Sequence, residues 1–208
     1  MSLLELDHVV IAVADLGTAA QELESRHGLA SVEGGRHSDW GTANRIVPLG
    51  ETYLELIAVV DEELAARTTP GRWVGTARPG QPLGWAVRTD DLDQVARRLD
   101  LTVSAGSRTT PSGDVLRWRS AGLEQAVEDP ALPFFIEWGR DAPLPGRTPL
   151  THPAGPVELA RLLLEGDPDR LAMWLADQQL PVVVGQGEPA VKEVVLLGIA
   201  GEIVLGAP

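Results

Sequence analysis

Leu6-Asp7-His8-Val9-Val10-Ile11-Ala12-Val13-Ala14-Asp15-Leu16 reads as an apolar strand that runs straight into a helix start. Asp15 is a good helix N-cap, because its carboxylate can accept from the free N–H groups of the first turn and sits at the positive end of the helix dipole. The same arrangement returns twice, at Asp91-Leu92 and at Asp167-Pro168, so the three aspartates at 15, 91 and 167 lie a constant 76 residues apart. Pro168 suits the first helical position, where its missing N–H would have had no partner. A fixed period of this kind marks a duplicated supersecondary unit. The helical patterns that follow run over 18–26, 93–99 and 169–177.

After each helix the chain reads as short strands broken by turns. In the first copy these are 29–33, 43–49 and 52–59, with Gly34-Gly35 and Gly50-Glu51 as breakers. The second offers 101–104, 115–120 and 134–138, and the third 181–184, 191–198 and 202–205. The unit is strand, helix, strand, strand, strand, three times. It predicts an α+β fold of tandem βαβββ modules at 1–66, 81–142 and 155–208, assembled continuously, with cupped, curved mixed sheets and helices on the outside.

Two polar residues interrupt the apolar strands, His8 in the first and Glu55 in Tyr53-Leu54-Glu55-Leu56-Ile57-Ala58-Val59. Burying either side chain costs several kcal/mol unless it is paired, hydrogen-bonded or metal-bound, and the pair looks like metal ligands. Between them lies Gly34-Gly35-Arg36-His37-Ser38-Asp39-Trp40-Gly41-Thr42-Ala43-Asn44, the composition of a pocket wall or lid. An indole is costly to expose, so the segment is expected to fold back, with His37 as a general base or substrate-orienting group. Trp40, Thr42 and Asn44 are the substrate-binding candidates of that segment. His27 beside Gly28 reads as structural, a cationic group at a helix C-terminus with a glycine cap.

The tandem βαβββ pattern, with Leu6-Asp7-His8-Val9-Val10, the 34–44 segment and Tyr53-Leu54-Glu55-Leu56, resembles the vicinal oxygen chelate superfamily, in its glyoxalase-like branch (glyoxalase, bleomycin resistance and dioxygenase type). The resemblance implies cups that hold a divalent metal on the first and last strands of two modules. Carried onto this chain it supplies His8, Glu55 and, from Phe134-Phe135-Ile136-Glu137-Trp138, Glu137. The position equivalent to His8 in the second module is Gly84, beside Trp85, and in the third it is Ala160, so the four-ligand pattern lacks a ligand. Three ligands with open positions suit a catalytic site, and a histidine with two carboxylates accepts Mn²⁺, Fe²⁺, Ni²⁺, Zn²⁺ or Co²⁺.

Composition narrows the setting. The 208 residues suffice for a sizeable core, and no apolar run is long enough to span a bilayer. The N-terminus lacks the pattern of a secretory signal and there is no cysteine, which together point to the cytoplasm. Seventeen basic against 30 acidic residues, a net charge of −13, would repel a phosphate backbone, so nucleic acid is not an expected partner. Six tryptophans stand against one tyrosine and two phenylalanines. Of these, Trp85 and Trp138 join Trp40 as candidates to line a cup for a flat or cationic organic ligand.

Two functions fit these observations. One is a metal-dependent enzyme of lyase, isomerase or dioxygenase type, acting on a small organic substrate chelated through neighbouring oxygens, with His37 moving a proton. The other is a metal-free binder, similar to the superfamily's drug-sequestering resistance proteins. The third module either caps the barrel or pairs with its copy in a second subunit to make a homodimer.

Overall fold

The computed structural model describes residues 3–140 and 142–206. In chain order the first eight strands are β1 (Leu4–Ala12), β2 (Val32–His37), β3 (Thr42–Leu49), β4 (Thr52–Val59), β5 (Pro82–Thr89), β6 (Val103–Thr109), β7 (Val115–Ala121) and β8 (Phe134–Trp138). They close into one barrel in the order β1-β4-β3-β2-β6-β7-β8-β5. The helices are α1 (Leu16–His27), α2 (Glu62–Ala65), α3 (Thr69–Thr76), α4 (Leu92–Leu99), α5 (Leu123–Glu128) and α6 (Pro168–Trp174). The remaining strands β9 (Val157–Gly166), β10 (Val182–Gln186), β11 (Ala190–Gly198) and β12 (Gly201–Gly206) form a second sheet in the order β10-β9-β11-β12. The fold is α+β, with mixed, curved sheets and helices outside.

Local chemistry starts each repeated helix as the aspartate pattern requires. Asp15 accepts from Thr18 N–H, Asp91 from Gln94 N–H, and Asp167 from the N–H groups of Asp169 and Arg170. α1 ends at Gly28, whose φ of 65° closes a left-handed cap. Asp61 caps α2, with Glu62 and Glu63 in its first turn. Three short helices, α2, α3 and α5, lie outside the three expected helices. α2 and α3 occupy the connection from β4 to β5, and α5 the turn from β7 to β8.

Gly34-Gly35, read from the sequence as a break, lies inside β2, where the register with β3 shifts between Glu33 and Gly35. These glycines form the seam of the barrel. The ladder between β2 and β6 is short, and its register is the Arg36 and Thr109 pair. A Cβ on Gly35, which has φ 143°, would lie 2.1 Å from the Thr109 carbonyl oxygen, so only glycine lets the strands approach.

Two cores result from strand alternation. Val9, Ile11, Leu54, Leu56, Trp85, Val87 and Phe135 face outward and pack with the helices and the second sheet. Val10, Ile57, Ala86, Trp118, Phe134 and Ile136 form the second core, on the barrel's inner side. The second sheet lies against the barrel wall, where β11 touches β5 and β9 touches β3 and β4. Trp174 stacks on Phe135 at 5.9 Å and donates from its indole to the Pro133 carbonyl at 2.9 Å. His152 ties the connecting segment down, donating from Nε2 to the Pro48 carbonyl at 2.7 Å and accepting at Nδ1 from Ala30 N–H at 3.1 Å. No helix among the described residues is long and apolar enough to cross a membrane.

Candidate active site

A bulge creates the site's first wall. The β1 to β5 register shifts between Leu6 and His8, so Asp7 and His8 both turn toward the interior although they are neighbours. The pair is joined by a 2.7 Å hydrogen bond from His8 Nδ1 to Asp7 Oδ2, and both residues are buried. Asp7 Oδ1 also accepts from the Trp138 indole at 3.1 Å. With its Nδ1–H given to a carboxylate, His8 presents Nε2 to the centre, 3.6 Å from Glu55 Oε2. Tyr53, the ladder partner of His8, stacks on its imidazole at 4.6 Å.

His37 approaches Glu55 from the other side. Its Nδ1 hydrogen-bonds the Thr42 hydroxyl at 3.0 Å and its Nε2 lies 3.8 Å from Glu55 Oε1. Burial pushes the His37 pKa down to about 4, against the pull of Glu55, and the nearby Arg108 and His8 lower it further. His37 is therefore neutral at pH 7. Trp40 stacks on its ring at 4.8 Å, and Trp118 meets it edge-on at 5.9 Å. The Asn44 amide donates to Glu55 Oε1, and its oxygen accepts from Arg108 Nη1 at 3.1 Å.

His8, His37, Thr42, Asn44 and Glu55 thus come together in one buried cluster, with Trp40 and Trp138 at its edge. Trp85 and Glu137 do not join them. Trp85 lies in the outward core and donates from its indole to the Ala131 carbonyl at 3.2 Å, so it is a packing residue and not part of the cup lining. On β8 the inward residues are Phe134, Ile136 and Trp138, which leaves Glu137 on the other face. There it accepts from Leu92 N–H at 3.2 Å and pairs with Arg119 at 2.8 Å.

The ladder explains this placement. Val10 pairs with Glu55, and its equivalent 76 residues on, Ala86, pairs with Phe134. The counterpart of Glu55 is therefore Phe134, and Glu137, an odd number of residues further along, points to the opposite face. At the His8 counterpart, Gly84, a Cβ would lie 2.7 Å from the Trp73 ring.

These positions decide whether the chain fits a divalent metal. His8 and Glu55 converge, and a histidine whose second nitrogen is held by a carboxylate is oriented as metal ligands are. The expected third ligand faces away, Asn44 already holds Glu55, and Arg108 places a cation beside them. Among the described residues no three His, Asp or Glu side chains form a group that could hold a metal ion. The expected set of His8, Glu55 and Glu137 is not assembled.

Sequence reasoning missed Asp7, Tyr53 and Arg108. Asp7 stands next to His8, yet strand alternation assigns neighbours to opposite faces, and only the bulge overrides it. Arg108 carried no local signal, since its partner is 64 residues away. Beside Trp118 and Trp138 lies a groove of about 420 Å³, lined also by Asp39, Gly106, Arg117, Arg119 and Glu137. Trp118 stands between this groove and His37.

The glyoxalase-like domain family model matches residues 6–178 of the chain. A search of curated proteins finds no match. Among solved structures, a hypothetical protein from Staphylococcus aureus superposes with a TM-score of 0.73 at 15% identity, covering 94% of this chain and 92% of its own. Methylmalonyl-CoA epimerase from Mycobacterium tuberculosis gives a TM-score of 0.46 at 23% identity, over 64% of this chain and 86% of its own.

Proposed function

The chain belongs to the glyoxalase-like domain family, of vicinal oxygen chelate type, and from that premise we propose that it is an enzyme that moves a proton on a small carbonyl compound held inside the barrel. The observation that carries this is the convergence of two imidazole Nε2 atoms, from His8 and His37, on the two oxygens of Glu55. At 3.6 and 3.8 Å these atoms are too far apart for hydrogen bonds, so each keeps capacity for a third group placed between them.

His8 is the general base of this reading. Asp7 holds Nδ1–H, which fixes the tautomer that leaves a lone pair on Nε2 and stabilises the imidazolium formed when a proton is accepted. Glu55 faces both imidazoles and, with the bound group bridging the two gaps, relays the proton between them. His37, neutral and hydrogen-bonded to Thr42, returns it to a neighbouring atom of the substrate. Isomerase and lyase chemistry follow from such a relay, and no step is routed through a metal, because the residues present do not assemble its site. We further propose that the first two modules, 1–66 and 81–142, are the functional unit and the third, 155–208, a buttress of its wall.

The aromatic wall of Trp40, Trp118 and Trp138 supports a second reading, a binder that sequesters a ligand without turning it over. One experiment separates the two. Neutral and anionic aldehydes, ketones and 2-oxo acids are incubated with the protein in D₂O, and deuterium at the carbon beside the carbonyl is followed by NMR. Exchange that Glu55→Gln and His8→Ala abolish supports the enzyme. Ligand binding without exchange for any compound that binds would refute proton transfer and leave the binder.

A further inference from the structure

Arg108 lies on β6 at the barrel seam, and only 7% of it is exposed. A buried guanidinium costs several kcal/mol unless it is paired. Yet among the described residues no carboxylate pairs with it within 4 Å; Glu55, the nearest candidate through Asn44, faces His8 and His37 instead. Its hydrogen bond goes to the neutral oxygen of Asn44, at 3.1 Å. The other face of that same amide holds Glu55, so Asn44 keeps the carboxylate and the guanidinium apart where direct pairing would be the simpler way to bury both.

The seam is shaped around this cation. Gly34 has no side chain, and a Cβ there would lie 2.3 Å from Arg108 Nη1 and 2.2 Å from Asn44 Oδ1. Glycine at this point gives the guanidinium its seat, near enough to His37 to lower its pKa. Arginine presents five N–H donors in a planar fork that matches a carboxylate bidentately. Trp118, buried edge-on to His37, makes this a low-dielectric neighbourhood, in which a charge pair is stronger than in water.

We infer that Arg108, held by Asn44 in the space Gly34 leaves, is the receptor for a substrate carboxylate, and that the barrel takes small aliphatic carboxylic acids bearing a carbonyl or hydroxyl next to the acid group. The inference rests on the barrel interior being the functional site, and it names the substrate class of that site. The carboxylate docks on the guanidinium and leaves the adjoining oxygen-bearing carbon toward Glu55 and the two histidines. In a protein with a net charge of −13, this cation, the one buried lysine or arginine among the described residues, also discriminates against neutral analogues of the same shape.

The test is a titration of the full chain, read by its tryptophan fluorescence, with pyruvate, lactate and glyoxylate and with their neutral amides. The acids are expected to give saturable curves, and the amides to bind at least tenfold more weakly. Arg108→Met is expected to weaken the acids at least tenfold. Arg108→Lys, which keeps the charge but loses the fork, is expected to fall in between, and it decides the matter if circular dichroism shows Arg108→Met to be unfolded. Amides that bind as well as the acids, or acids that bind both variants within twofold of the parent, would overturn the assignment. If neutral carbonyl compounds bind and Glu55→Gln removes them while Arg108→Met does not, the interior site stands and the anion receptor falls. If neither acids nor neutral compounds change the fluorescence or the melting temperature, both fall together.

Discussion

The two halves of the barrel share one plan of strands but divide the chemistry unequally. The first, β1 to β4, contributes Asp7, His8, His37, Thr42, Asn44, Tyr53 and Glu55, all buried. The second, β5 to β8, answers with Ala86, Trp118, Phe134, Ile136 and Trp138, and with Arg108 as its one buried cation. Position by position, Glu55 is matched by Phe134, and His8 by a glycine whose missing side chain is replaced by the Trp73 ring. A duplicated unit can thus place reactive groups in one copy and walls in the other. The buried polar groups then face a low-dielectric surface in place of a second set of charges, and that raises the strength of each contact.

The sharpest way to break this contrast is to exchange the two glutamates' fates. Glu55→Gln is expected to lower the proton-transfer rate by roughly 10²- to 10⁴-fold, the contribution of a positioned acid–base group. Glu137→Ala is expected to leave that rate within about twofold, because its carboxylate is spent on Leu92 N–H and Arg119 outside the barrel. Equal losses in deuterium-exchange assays of both variants would show that the halves contribute symmetrically.

The outward faces give the next largest effect. Trp85 is fully buried, and Trp85→Ala is expected to cost about 3 to 5 kcal/mol in urea unfolding, through a cavity and the orphaned Ala131 carbonyl. Ligand affinity in the surviving folded fraction should be unchanged. A loss of affinity with little loss of stability would return Trp85 to the cup.

Much of this was legible in the chain and some was not. The aspartate caps and the 76-residue period are local signals, which is why the α+β class and the repeated helices could be read directly. Gly34-Gly35 was misleading, since glycine reads as a breaker, whereas here it admits a close approach between β2 and Thr109, whose position no local pattern reveals. The family resemblance supplies Glu137 as the carboxylate of the Phe134–Trp138 string. Parity along β8, with Phe134, Ile136 and Trp138 apolar, was the available signal against it. The 34–44 segment did fold back, with Trp40 stacked on His37, but as a hairpin between two strands and not as a separate lid.

His37 tests how dry the interior is. Its folded value of about 4 lies below the ordinary 6.5, so between those values the unfolded chain binds more protons than the folded one. Stability therefore is full above pH 6.5 and falls as the pH drops toward 4, by about 3 kcal/mol in all from this group. In His37→Gln that part of the slope is expected to vanish. Unfolding free energies at pH 7 and pH 4.5 for both proteins measure it, and identical slopes would mean that water reaches the imidazole.

The smallest effect concerns the outward carboxylate. Glu137 accepts from the N–H of Leu92, the first residue of α4, and draws Arg119 toward it, while Arg119 also pairs with Asp93. Losing a hydrogen bond to a helix-start N–H costs about 1 kcal/mol, and the half-exposed Arg119 pair adds little because solvent screens it. Glu137→Ala is thus expected to lower stability by about 1 kcal/mol, and Glu137→Gln by less, because the amide oxygen can still accept from Leu92. Elemental analysis of the parent and both variants, after incubation with Mn²⁺, Fe²⁺, Ni²⁺ and Zn²⁺, should give the same metal content in all three. A stoichiometric metal present in the parent and lost in Glu137→Ala would require β8 to turn its faces over. That outcome would erase the division between a reactive and a walling half, since Phe134 and Trp138 would then leave the interior with the strand.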